Sequence, residues 1–334
     1  MQDTKFTRRS VLYVPEHFGV LHGATKMAEG LLRFRNEEVV AVISPTRHTT
    51  VQEALGWGGN IPIVDGIQEA MQYRPNTFVI AVGIAGGEFN YKWFDSTYRA
   101  AKLGLQIWNG THTLLAKDHR FSQWEDNIWD LRWHPPSRMA RGTWRTRKSK
   151  ILLTVGTDSA VGKMTAGLIL HKNLEAIGIK TAFISTGQVA MAITGNGVAI
   201  DAVPSDFVSG VVEQLIDDVD GIDLVIVEGQ GALSNQQYSA VTLGLLHGTM
   251  PDYLLMVSPI ADDHAIFNIK AELDLNLALM APFKHTKLIG IGTNYLGLHD
   301  VTFPRYLKSS FDVDAEDFVH NNTSIIAKTV KELI

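Results

Sequence analysis

The stretch TVGTDSAVGKMT, from Thr154 to Thr165, decides the fold because it joins a predicted strand to a predicted helix. The apolar run from Ile151 to Val155 precedes it, and the stretch from Gly162 to Ala176 reads as a helix. Glycines at such a junction let the chain turn so that successive backbone N–H groups face the oxygens of a phosphate. The helix N-terminus adds partial positive charge, and Lys163 adds a mobile full charge. The segment therefore predicts a P-loop on a doubly wound α/β domain and a ligand with a di- or triphosphate group.

The predicted P-loop departs from the usual pattern at two positions. Five residues separate Gly156 from Gly162, which is more than the usual spacing. Met164 stands directly after the lysine, where a magnesium-binding Ser or Thr is usual, and Thr165 lies one place further on. A loop with a weakened metal site still holds a pyrophosphate, so coenzyme A satisfies it as well as ATP does. A glycine-rich turn without a ligand is the alternative. The candidate cofactor-binding residues in this loop are Gly156, Asp158, Ser159, Ala160, Val161, Gly162, Lys163, Met164 and Thr165.

Composition narrows the class of protein. The chain has 334 residues, a net charge of -5 and 0 cysteines. The charge gives no general attraction to nucleic acid or anionic membranes, so we expect neither as a partner. The missing cysteines exclude disulfides, cysteine nucleophiles and thiolate metal sites, and the histidines show no metal-ligand spacing. We see no signal peptide and no apolar run near the ~20 residues of a membrane span. We therefore expect a cytoplasmic protein without a bound metal.

Strands alternate with helices in two parts of the chain, which predicts two α/β domains with parallel sheets. We expect a Rossmann-like domain at residues 1–112 and a P-loop NTPase-like doubly wound domain at residues 150–334. Residues 113–149 interrupt the alternation and are predicted to be a linker or junction. The basic run from Arg138 to Lys150 is expected to be solvated, with contact to a phosphate-bearing ligand as the alternative.

Polar residues follow two further predicted strands. Glu228 and Gln230 come directly after the apolar run from Leu224 to Val227, and Gln188 follows the strand from Thr181 to Ser185. Ligands bind at the carboxyl ends of parallel strands, so we favour a functional role for these residues. Glu228 is a candidate to orient a metal or to act as a base, with a helix-capping acid as the alternative. Gln188 and Gln230 are candidate substrate-binding residues.

Three other residues, Asp201, Asp206 and His247, have both a functional and a structural interpretation. Asp201 and Asp206 each suit a general base, an ammonium-binding group or a helix N-cap, and we keep Asp206 as a catalytic candidate and favour a structural Asp201. Tyr238 and His247 follow the Glu228 loop and are candidate substrate-binding residues. A histidine transfers protons near neutral pH, but a lone histidine on an apolar helix is more often structural. Asn294 follows a further predicted strand, where related folds contact a purine base.

The segments GTDSAVGKMT, STGQ, SDFVSG, VEGQG and YSAVTLGLLHG occur in this order over residues 156–248. Together they resemble a bacterial family, long described as of unknown function, that pairs a Rossmann-like domain with a P-loop domain. The resemblance covers nearly the whole chain. It implies D-glutamate N-acetyltransferase activity with acetyl-CoA, within D-amino acid catabolism, and we expect a homo-oligomer. The P-loop alone is similar to dethiobiotin synthetase, which uses ATP and Mg²⁺ and carries a hydroxyl residue in place of Met164.

The resemblance implies a mechanism of direct acetyl transfer to the amine of a small acidic amino acid. Lys163 and the P-loop are expected to bind the coenzyme phosphates, and Glu228 or Asp206 to take the amine proton. Two alternatives stay open at this point. One is a ligase or kinase that needs ATP and Mg²⁺ and acts on a small carboxylate. The other is a nucleotide-binding sensor without catalysis.

Overall fold

The computed structural model describes residues 8–15, 18, 25–82, 87–260, 264–295, 303–318 and 324–334. By its internal contacts the chain divides into two compact units. Unit 1 comprises Met1–Trp133 and Gln188–Ala202, and unit 2 comprises His134–Gly187 and Val203–Ile334. Within the described ranges, no helix is both long and apolar enough to cross a membrane.

Unit 1 contains a six-stranded parallel sheet in the order β3-β2-β1-β4-β5-β6. Its strands are short apolar runs with few exposed positions, as expected for a parallel sheet covered on both faces. The predicted Rossmann-like fold is confirmed. Its elements are β1 (Ser10–Tyr13), α1 (Lys26–Phe34), β2 (Val39–Ile43), α2 (Val51–Leu55), β3 (Ile63–Val64), α3 (Ile67–Ala70), β4 (Thr77–Ile80), α4 (Phe94–Lys102), β5 (Gln106–Asn109) and β6 (Ile128–Asp130).

Unit 2 contains a second six-stranded parallel sheet, in the order β12-β11-β10-β7-β9-β8. The predicted P-loop α/β fold is confirmed. The elements of this part of the chain are β7 (Lys150–Gly156), α5 (Lys163–Ala176), β8 (Thr181–Ile184), α6 (Gln188–Thr194), α7 (Ser205–Asp217), β9 (Leu224–Val227), α8 (Ser239–Thr249), β10 (Tyr253–Ile260), α9 (His264–Met280), β11 (Lys287–Tyr295), α10 (Phe303–Phe311), β12 (Ala315–Asp317) and α11 (Ile325–Leu333).

Helix α6 follows β8 in the chain but belongs to unit 1, where it packs against α1. Arg35 donates from Nε to the carbonyl of Ile193 at 2.7 Å, which fixes the C-terminal half of α6. β6 lies in the segment that the sequence predicts as a junction, and it pairs with β5 in the sheet. The predicted domain limits themselves stay predictions.

The basic segment before β7 is held by acidic side chains of α7. Glu213 is 2% exposed and accepts bonds from the backbone N–H groups of Arg141, Gly142 and Thr143 at 2.7, 2.7 and 3.1 Å. Arg138 adds an ion pair to the same carboxylate at 3.0 Å. The expectation of a solvated segment is wrong for Arg138. Its guanidinium pairs with the buried carboxylate of Glu213, which also accepts the backbone N–H groups of the residues that follow.

We predict that Glu213→Gln lowers the free energy of unfolding by about 3 kcal/mol, since it breaks a buried ion pair and sets an amide N–H₂ against backbone donors. Burial raises the pKa of Glu213, but the backbone and Arg138 hydrogen bonds outweigh it and leave the pKa below its ordinary 4.5. The stabilisation is therefore complete above that value and is lost as the pH falls through the lowered pKa. Urea unfolding between acidic and neutral pH measures both effects.

The matched control is Glu175→Gln, which removes a carboxylate that is 55% exposed and lies 3.7 Å from His171. Its unfolding free energy should change by less than about 1 kcal/mol. Equal losses for the two variants, or a loss for Glu213→Gln that does not shrink toward acidic pH, would contradict the assignment.

Candidate functional site: the P-loop of unit 2

The loop between β7 and α5 has the backbone of a phosphate cradle. Gly162 precedes α5 with φ at 110°, and Ala160 has φ at 57°. A Cβ at Gly156 would lie 2.7 Å from the carbonyl oxygen of Val257, so only glycine fits where β7 ends beside β10. The first N–H groups of α5 have no carbonyl within the helix to bind. The cradle thus fits an anionic group, as its sequence predicts.

The side chain of Lys163 is buried at the start of α5 and links two loops by hydrogen bonds. Its Nζ donates to the carbonyl of Asp158 at 2.5 Å and to that of Gly231 at 2.8 Å. The first carbonyl belongs to the P-loop and the second to the loop that follows β9. The ammonium charge is therefore held between the P-loop and the Glu228 loop, where a bound phosphate gains most from it.

Met164 and Thr165 occupy the next positions of α5. Met164 is buried, so an apolar side chain takes the place of a metal-binding hydroxyl. Thr165 is half-buried. Among the described residues, no group of three or more His, Asp or Glu side chains is arranged to hold a metal ion.

Glu228 joins the carboxyl ends of β8 and β9. It is buried, and its Oε2 accepts the N–H groups of Thr186 and Gly187, both at 2.9 Å. Gln230 donates from Nε2 to the carbonyl of Thr186, and the Thr186 hydroxyl donates to the carbonyl of Glu228 at 2.8 Å. The predicted pair Glu228 and Gln230 therefore lies together and fixes the turn after β8.

Asn235 and Glu272 belong to the same site, although sequence reasoning does not single them out. Asn235 donates from Nδ2 to the Asp158 carboxylate at 2.7 Å, which ties the P-loop to the loop after β9. Glu272 on α9 is fully buried and accepts the N–H groups of Leu233 and Ser234 at 2.7 and 2.9 Å. No local sequence signal marks either residue, because their partners lie dozens of positions away.

The other predicted site residues lie in different places. Tyr238 packs its backbone against Gly231, so it stands next to the lysine-binding carbonyl. Asn294 pairs with Pro259 near the carboxyl end of β11.

Asp206 is exposed on the first turn of α7. His247 lies in the last turn of α8, with its ring 5.5 Å from Phe283, and is not brought to the P-loop. Gln188 begins α6 and belongs to unit 1. Their roles stay predictions.

We predict that Gly229→Ala lowers the free energy of unfolding by about 2 kcal/mol or more. A Cβ at Gly229 would overlap the Thr154 carbonyl, so the strand ends must separate. Urea unfolding measures the loss. Gly66→Ala is the control, because no atom lies within 4 Å of its added Cβ, and as a substitution at the N-cap of α3 it should lower the free energy by less than about 1 kcal/mol. Equal urea midpoints for Gly229→Ala and Gly66→Ala would refute the close contact between Gly229 and Thr154.

Family models match both parts of the chain. Residues 138–324 match DUF1611, described as a P-loop domain of unknown function. Residues 45–134 match its N-terminal companion, described as a Rossmann-like domain of unknown function. A crystal structure of a DUF1611 family protein from Anabaena variabilis superposes with a TM-score of 0.88 at 27% identity, covering 97% of this chain and 99% of that one.

Two curated relatives have the name D-glutamate N-acetyltransferase. The protein from Pseudoalteromonas sp is 35% identical over 283 residues, which is 80% of this chain and 82% of the relative. The protein from Tritonibacter scottomollicae is 31% identical over 298 residues, which is 85% of this chain and 86% of the relative. These relatives support an enzyme of the N-acetyltransferase class. The chain is an acyltransferase that belongs to the DUF1611 family, with its Rossmann-like and P-loop domains.

Proposed function

We propose that the protein transfers an acetyl group from acetyl-CoA to the amino group of an acidic amino acid, D-glutamate. The observation that carries the proposal is a P-loop that keeps its glycine cradle and buried lysine while an apolar Met164 replaces the metal-binding hydroxyl. Such a loop suits the diphosphate of a coenzyme better than a nucleotide whose phosphates must be bridged by metal. The names of the two curated relatives support the choice of substrate.

In this proposal the loop from Asp158 to Thr165 binds the coenzyme phosphates. Lys163 exchanges its carbonyl partners for phosphate oxygens, and the first N–H groups of α5 add hydrogen bonds from the positive end of the helix. Gln230 and Tyr238 flank the same loops and are the candidates for substrate contacts in unit 2. Backbone N–H groups of the glycine loops stabilise the oxyanion of the tetrahedral intermediate.

The chemistry requires an amine without its extra proton. A C–N bond forms between the amine and the thioester carbonyl carbon, the C–S bond breaks, and coenzyme A leaves as a thiol. Glu228 and Asp206 are the sequence candidates for the proton acceptor. Glu228 is engaged by two backbone N–H groups, which gives its carboxylate a role in holding the turn after β8.

We predict that Lys163→Ala lowers kcat/KM for acetyl-CoA about 100-fold, because a charged hydrogen bond to phosphate is lost. Release of coenzyme A with D-glutamate, L-glutamate and other amino acids is the measurement, with and without ATP and Mg²⁺. The chain has 0 cysteines, so a thiol reagent reports only the released coenzyme. Lys172→Ala is the control on the same helix, because Lys172 is exposed, and it should keep the wild-type rate.

Thiol release with D-glutamate whose kcat/KM falls about 100-fold in Lys163→Ala supports the proposal. Phosphate release from ATP without thiol release from any amine would sink it and favour the ligase or kinase. In the ligase or kinase alternative Glu228 would orient the metal, because it follows β9, the strand that pairs with the P-loop strand β7. Nucleotide binding without either product would point to a sensor.

A further inference from the structure

A carboxylate inside unit 2, on α9, takes no part in the acetyl transfer as proposed above. The side chain belongs to Glu272, which is 0% exposed. Its Oε1 accepts the backbone N–H of Leu233 at 2.7 Å, and its Oε2 accepts that of Ser234 at 2.9 Å. Burial of a carboxylate costs free energy unless its oxygens are hydrogen-bonded. The two backbone groups therefore explain how a glutamate is accommodated at this position of α9.

Asn276, one turn further along α9, fixes the orientation of this carboxylate. It is also fully buried. Its Nδ2 donates to Oε1 of Glu272 at 3.0 Å and to the backbone carbonyl of Glu272 at 2.8 Å. Three N–H donors from two parts of the chain thus converge on one carboxylate. Because the carboxylate has a defined orientation on α9, the two backbone groups that it binds have a defined position as well.

The loop that Glu272 binds, residues 229–238 after β9, is folded back on itself, and we call it the β9 loop. Gly231 has φ at 61°, and a Cβ there would lie 2.5 Å from the carbonyl oxygen of Tyr238. The hydroxyl of Thr242 on α8 donates to the carbonyl of Gln230 at 2.7 Å. A loop this closely packed has little room to deform internally, so a displacement at its middle also moves the residues on either side.

Two hydrogen bonds connect the β9 loop to the P-loop. The carbonyl of Gly231 accepts from Nζ of Lys163 at 2.8 Å. Nδ2 of Asn235 donates to Oδ1 of Asp158 at 2.7 Å. Gly231 and Asn235 lie on either side of the two residues whose N–H groups Glu272 binds. A shift at this anchor would therefore disturb both contacts with the P-loop at once.

We propose that Glu272 is a positioning residue for coenzyme binding, which acts by holding the β9 loop against the P-loop and its Lys163. The inference rests on the proposed function, because that function makes acetyl-CoA the ligand of the P-loop. The diphosphate of the coenzyme and its thioester stand at opposite ends of a long pantetheine arm. Loss of the anchor therefore weakens binding of the phosphates and leaves the chemical step at the thioester unchanged.

We predict that Glu272→Gln raises KM for acetyl-CoA about tenfold and changes kcat by less than about twofold. The amide has the shape of the carboxylate, but its N–H₂ group is set against one of the two backbone N–H groups and displaces the β9 loop. Thiol release at saturating D-glutamate, with acetyl-CoA varied, measures both constants. Partial unfolding gives the opposite pattern, because it removes active molecules and lowers the apparent kcat without changing KM.

The matched control is Glu213→Gln, the same change at another buried glutamate of unit 2. Glu213 also accepts backbone N–H groups, but its partners lie in the segment before β7. This variant should unfold at lower urea concentration and keep the wild-type KM for acetyl-CoA. An unchanged KM in Glu272→Gln would overturn the inference, and so would an equal rise of KM in both variants, which would reflect lost stability alone.

A double-mutant cycle tests whether the effect passes through the β9 loop. Asn235→Ala removes the contact with Asp158 and should itself raise KM for acetyl-CoA. Since both changes loosen the same loop, KM of the double variant should rise by less than the product of the two single increases. An increase equal to that product, or no increase in Asn235→Ala, would contradict transmission through the loop.

A binding measurement separates this inference from the proposed function. Free coenzyme A is titrated calorimetrically into wild-type protein, Glu272→Gln and Glu213→Gln, without an amino acid present. We expect Kd to rise about tenfold in Glu272→Gln alone. Wild-type protein that does not bind coenzyme A would refute the proposed function and this inference with it. Equal binding by wild-type protein and Glu272→Gln would refute only the positioning role.

Discussion

The close approach of Gly229 to Thr154 is the constraint on which the site in unit 2 depends. The N–H of Gly229 donates to the Thr154 hydroxyl at 2.8 Å, and no side chain fits between the two strand ends. Because β9 enters its loop this close to β7, the next residues reach the P-loop. The carbonyl of Gly231 then meets Nζ of Lys163, and Glu228 meets the turn after β8. Because Gly229 has no Cβ, the loop after β9 can place the Glu228 carboxylate and a carbonyl partner for Lys163 beside the P-loop.

The partners of Lys163 explain how a buried ammonium can serve a ligand. Two carbonyl oxygens offset part of the cost of removing its charge from water. Carbonyls are neutral, so an incoming phosphate adds a Coulombic attraction that they lack. The loop that provides one of them is anchored by Glu272 through two backbone N–H groups. The cradle is therefore arranged before a ligand arrives, which reduces the entropy lost on binding.

The alternation of apolar runs and amphipathic stretches was enough to predict both parallel sheets, and the spacing of Gly156, Gly162 and Lys163 was enough to predict the P-loop. Both signals are local, because each lies within one strand–turn–helix segment. The anchors of the site could not be predicted in this way. Glu272 acts on residues 38 and 39 positions away. Arg138 is paired across 75 positions, so its charge gave a false expectation of a solvated segment. Such pairs are determined by tertiary packing alone.

Asp201 and Asp206 show how far the neighbours of a carboxylate determine its chemistry. The sequence offers both as a base, an ammonium-binding group or a cap, and they stand only five positions apart. The fold assigns Asp201 to unit 1 and Asp206 to unit 2. Asp201 accepts two hydrogen bonds from Arg132, and this paired charge makes it a poor partner for a substrate ammonium. Asp206 lies exposed at a helix start, where the helix dipole favours its charge. The same side chain therefore pairs with an arginine in one unit and stabilises a helix in the other.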